Sequence, residues 1–141
     1  MNLRQGVIWS GFLMIGQGLI SCSASKPDQC QQLFLTTQKM TQASLEYRNT
    51  RKAEDILKIA ASFEQTADTL ATLKFNDPRL SDFQQQLVTI YRGNSEASRS
   101  MLKAIASQDI LTATLAQDQV QHIGKQEQQV ITDLNRYCQT P

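Results

Sequence analysis

From Asp28 onwards, apolar side chains return at intervals of three and four. Cys30, Leu33, Thr37, Met40, Ser44 and Tyr47 form one such series, widened by Phe34 and Leu45. That spacing lays one stripe along a 3.6-residue helix, with Asp28 as the expected N-cap. The turn Arg48-Asn49-Thr50 closes it, and Thr50 is placed to cap the next helix. Ala53, Ile56, Ala60, Phe63, Ala67 and Leu70, with Leu57 and Leu73 beside them, predict a second helix over about Arg51 to Lys74. Phe75-Asn76-Asp77-Pro78 breaks the pattern. Asp77 suits an N-cap, and Pro78 suits the first helical position, where a missing N–H removes no bond.

A third helix carries Leu80, Phe83, Leu87, Ile90, Ala97, Met101 and Ile105. Gly93-Asn94-Ser95 lies in its middle. Glycine costs about 1 kcal/mol against alanine there, which predicts a kink or a local loss of helical bonding, and the loosest packing of the core. Ser107-Gln108-Asp109 reads as the last turn. The fourth helix, about Ile110 to Tyr137, has the seam Ala113, Ala116, Val120, Ile123, Val130, Leu134 and Tyr137. Glu127 interrupts it, a carboxylate expected to meet a cation on a neighbouring helix or to lie where the bundle opens. No β-branched or aromatic run alternates with period two. Four amphipathic helices joined by short turns predict an all-α, up-down-up-down four-helix bundle.

The first 25 residues obey another rule. Arg4 is their only charge, and a glycine-interrupted apolar run extends from Gly6 to Ile20. It is shorter than the roughly 20 apolar residues of a membrane-spanning helix and fits the apolar region of a signal peptide. Leu19-Ile20-Ser21-Cys22 closes it. An aliphatic residue, a second one, a small one and a cysteine in that order resemble the lipobox of bacterial lipoproteins. The resemblance implies cleavage before Cys22 and attachment of diacylglycerol and palmitate-type acyl chains there. Residues 1–21 would be the signal peptide, 22–27 a lipid-anchored linker and 28–141 the helical domain. Two or more acyl chains hold a protein stably on a bilayer. The implied location is the outer side of a membrane: periplasm, outer membrane or thylakoid lumen. Ser23, where an inner-membrane retention signal has Asp, leans towards the outer membrane.

The two remaining cysteines then acquire a meaning. Cys30 falls in the first turn of helix one and Cys138 at the end of helix four. In an up-down-up-down bundle those points share one end, and an exported chain is expected to bridge them.

Charge narrows the partners. The chain has 14 Lys+Arg and 13 Asp+Glu, and loss of Arg4 with the signal peptide leaves the two equal. A nucleic-acid partner would demand a basic face, so none is expected. His122 is the only histidine. No haem motif or glycine-rich phosphate loop is present, and no metal, cofactor or catalytic residue is expected. Glu54-Asp55 and Asp118 read as solvated helix surface. Arg48, Arg51 and Lys52 cluster at the turn away from Cys30, where a basic tip could meet an acidic protein partner.

These features together predict a non-enzymatic, membrane-anchored accessory lipoprotein that docks on, or helps assemble, a membrane complex. Its plan is similar to that of the lipid-anchored four-helix extrinsic proteins of cyanobacterial photosystem II, a likeness of architecture that carries no site residue. The alternative is a small-ligand carrier of the bacterial envelope, with its pocket near Gly93 and Asn94.

Overall fold

Four antiparallel helices and no strand make up the residues that the computed structural model describes, 24–46 and 52–140. In order they are α1 (Lys26–Glu46), α2 (Ala53–Thr72), α3 (Pro78–Ala106) and α4 (Ile110–Gln139). This is the all-α bundle that the periodicity predicts. Cys22, Tyr47 and Thr50 lie outside the described residues, as do Arg48 and Arg51. None of the described helices is long and apolar enough to cross a membrane.

Local chemistry explains the boundaries. Ser25, not Asp28, caps α1. The Asp28 amide donates to Ser25 Oγ at 3.3 Å, and the Ser25 amide donates back to Asp28 Oδ2 at 3.3 Å. This reciprocal box satisfies two N–H groups that the helix leaves orphaned, and it moves the start ahead of the expected one. α2 begins after Lys52, which offers no side-chain cap. Glu54 and Asp55 in its first turn favour the positive end of the helix dipole instead. At the other end of α2, Gln84 of α3 donates its amide to the carbonyls of Leu70 and Leu73. Asp77 caps α3 as expected, accepting from the Arg79 and Leu80 amides at 2.9 and 3.1 Å.

The α3–α4 turn closes with two nested bonds. Gln108 N–H donates to Ile105 O and Asp109 N–H to Ala104 O, the Schellman arrangement. Gln108 has φ 59°, a left-handed conformation that a side chain makes costly and glycine does not. Asp109 then caps α4 by accepting from Thr112 N and Thr112 Oγ1 at 3.0 and 2.7 Å. Gln108→Gly is expected to raise stability by about 0.5–1 kcal/mol, read as a higher urea midpoint with an unchanged slope.

α3 is the spine. It packs along α2 on one side and α4 on the other, while α1 rests chiefly on α2 and meets α3 and α4 more sparingly. Leu33, Met40, Leu70, Leu80, Leu87, Tyr91 and Leu134 are fully buried between them. Phe63 and Tyr91 bring their rings to 5.7 Å across α2 and α3. Arg92–Asp68 and Arg99–Glu64 join the same helices on the outside at 3.2 and 2.8 Å. Exposed pairs of this kind contribute little.

Two expectations fail in the seams. The first concerns Gly93. α3 runs through Gly93 without a break, and a Cβ there would stand 3.1 Å from Ile123 Cδ1. Its bare backbone lets α4 approach, so the packing is close at the position predicted to be loosest. Tyr91, Asn94, Ser95 and Ser98 are buried around it. The second concerns the ends of the stripes: Ala53, Leu57 and Ile105 continue the apolar pattern but are exposed.

Candidate functional site

The end of the bundle that carries Cys30 and Cys138 gathers the start of α1, the α2–α3 turn and the end of α4. A disulfide joins the two cysteines, with their Cα atoms 6.0 Å apart. The sequence-based pairing is the observed one.

Beside the bridge, Gln29 works in both directions. Its Oε1 accepts from the Asn76 and Asp77 amides at 2.8 and 3.2 Å, and its Nε2 donates to Ala24 O at 2.8 Å. It is buried, and it supplies bonds that the turn cannot make for itself. Tyr137 donates its hydroxyl to Asp77 Oδ2 at 2.7 Å. Lys26 Nζ sits 4.2 Å from the Tyr137 ring centroid and donates to Thr140 O at 2.7 Å. The Arg79 guanidinium lies 5.7 Å from the Phe83 ring and 5.8 Å from that of Tyr137. The Gln29–Ala24 bond is local, but the bonds from Gln29 to the α2–α3 turn, from Tyr137 to Asp77 and from Lys26 to Thr140 tie segments distant in sequence. The direction in which residue 24 leaves the domain is thus held from several sides.

Electrostatics reflect these bonds. Partial desolvation pushes the Asp77 carboxyl up, but the Tyr137 hydroxyl, the Leu80 and Arg79 amides and the Lys26 charge outweigh it, and the net shift is downward. The Tyr137 phenol is raised, mainly because its proton is bonded to Asp77.

Midway along the bundle, burial raises the Glu127 carboxyl, and the Tyr91 hydroxyl partly offsets the shift. Tyr91 is itself pushed far up by burial and by the Glu127 charge. The group that acts on Glu127 is thus the Tyr91 phenol, where the sequence offered a cation on a neighbouring helix or an opening of the bundle. A carboxyl raised in the folded state favours folding below its unfolded value, about 4.3, and loses that contribution as pH rises through the folded value. Glu127→Gln is expected to flatten the fall in stability above pH 4 that this group causes, checked by urea midpoints across the acid range.

The remaining candidates lie elsewhere. Lys52 is exposed at the start of α2, at the opposite end from the disulfide. Arg48, Arg51 and Cys22 fall outside the described residues. His122 is exposed. Among the described residues no group of three His, Cys, Asp or Glu side chains could hold a metal ion. Gln29 and the Tyr137–Asp77 bond carry no signal in the sequence. Gln29 precedes Cys30 in a polar stretch, and only its position against the α2–α3 turn gives it a role. No protein-family model, no curated protein and no solved structure matches the chain.

Proposed function

We propose that this chain is a lipid-anchored, non-enzymatic lipoprotein whose bundle docks on or helps assemble a complex at the outer side of a membrane. The observation that carries the reading is the proximity of a disulfide to the residues just after the lipobox. Disulfides belong to compartments beyond the reducing cytoplasm, which is where lipobox processing delivers a protein. Cys22 lies four residues before Lys26, the first residue of α1. A tether of that length spans at most about 14 Å, so the stapled end faces the bilayer and the α3–α4 turn points away. α4 has 30 residues, which sets the far end about 45 Å from the near one. Arg48, Arg51 and Lys52 are the residues proposed to meet an acidic partner.

Growth of the native host with a labelled fatty acid tests the anchor. The wild-type chain is expected to take up label and to lose residues 1–21 by intact mass. Cys22→Ser is expected to take up none and to leave the membrane fraction. A wild-type chain that keeps Met1 and carries no label overturns the reading. Recovery of a stoichiometric partner from detergent-solubilised membranes tests the docking role, and recovery of none overturns it.

A further inference from the structure

At the far end of the bundle the described part of α1 ends early. Gln29 faces Asn76 and Met40 faces Thr66, which sets the antiparallel register of α1 on α2. Carried forward to Glu46, the last residue of α1, that register reaches Ala60. α2 continues about two turns further, to Ala53. The Arg99–Glu64 pair places Ala53 level with the α3–α4 turn. Three helices therefore surround a space that the described part of α1 does not enter.

The core face of α3 runs into that space. Leu80, Leu87, Tyr91, Asn94 and Ser98 are buried along it, and Ile105, seven residues after Ser98, is 57% exposed. With Met101, Ala104, Ile110 and Ala113 it lines a groove of about 610 Å³ between α3 and α4. Ile110 is 78% exposed. Lower down, the corresponding face is covered by a helix, α1, through Leu33, Thr37 and Met40. The groove continues that interface, and what fits it is another helix with aliphatic side chains about four residues apart.

The chain presents such a helix itself. Leu111 and Leu115 are four apart on α4 and 72% and 61% exposed. They lie on the far side of α4 from Ala113, because each is two residues, about 200°, from it. One end of the molecule thus carries an apolar groove and an apolar ridge that face different ways. Asp109, at the turn end of the groove, is already engaged by the Thr112 amide and hydroxyl as the α4 cap. The chain's formal net charge is only +1, so copies do not repel at long range.

We propose that this end is a self-association surface, in which the Leu111–Leu115 ridge of one copy enters the Ile105–Ile110 groove of a second. One contact of this kind covers both sets of exposed aliphatic side chains. Groove and ridge are different patches, so the contact is heterologous and each copy can bind two others. The proposal does not depend on lipidation of Cys22.

Two differently tagged full-length chains, co-expressed in the native host and extracted together, test it. Wild-type tags are expected to copurify. A ridge variant, Leu111→Ser with Leu115→Ser, and a groove variant, Ile105→Ser with Ile110→Ser, change exposed positions and keep the fold, checked by helical circular dichroism. Two copies of either variant are expected to lose copurification by at least about tenfold. The ridge variant paired with the groove variant keeps one intact contact and is expected to restore it as a one-to-one pair. All pairs share the same N-terminal segment, so co-extraction through an anchor cannot produce this pattern. Wild-type tags that do not copurify overturn the proposal, as does a mixed pair that recovers no better than either variant alone.

Discussion

Reduction of the Cys30–Cys138 bridge is expected to remove about 3–5 kcal/mol of stability. The bridge links residues 108 apart in sequence, and closing a loop of that size restricts the unfolded chain strongly. Domains of this size have about 5–15 kcal/mol in total, so the loss is a large part of the whole. It falls unevenly. α1 meets α3 and α4 sparingly, and the disulfide is its covalent hold on α4. After reduction, amide exchange in α1 is expected to accelerate before that in α3. Urea midpoints with and without a dithiol reductant measure the first effect, and hydrogen exchange measures the second. Cys30→Ala with Cys138→Ala reports the same change without reductant. An unchanged midpoint would show that packing alone holds α1.

Leu33→Ala is expected to destabilise by about 2–5 kcal/mol, and Leu35→Ala by less than about 0.5. The two residues sit on one helix, two positions apart, yet Leu33 is 0% exposed and Leu35 is 54% exposed. Truncating Leu33 leaves a void that its packed neighbours fill only in part. Truncating Leu35 removes atoms largely in water already. Chemical denaturation of the two variants checks the contrast, and equal losses would mean that α1 is rotated away from the face that buries Leu33.

Much of the architecture was legible because helical period is a local property. Asp77-Pro78 and Ser107-Gln108-Asp109 marked true boundaries, since a cap needs only residues within four positions. The Cys30–Cys138 pairing came from helix count together with the expectation of export: four antiparallel helices bring the first turn of one and the last turn of another to the same end, and an oxidising compartment lets the two thiols bridge. Gln29 and the Tyr137–Asp77 bond were hidden, because each satisfies a group 47 or 60 positions away and no local pattern encodes such a partner. Gly93 misled for the same reason. Its intrinsic cost in a helix is a local quantity, whereas its use, admitting Ile123, depends on a second helix.

Sequence by itself determined which face of each helix is apolar, where three of the four helices begin to within a residue or two, and which thiols could meet. It also supplied Leu19-Ile20-Ser21-Cys22, the pattern from which lipidation is proposed. Tertiary structure decided how far each apolar stripe is covered. Ile105 carries the same signal as Leu87, but the described part of α1 does not reach its level; one is buried and the other faces water. Periodicity reports direction around a helix axis. Burial also depends on whether a neighbour extends that far along it.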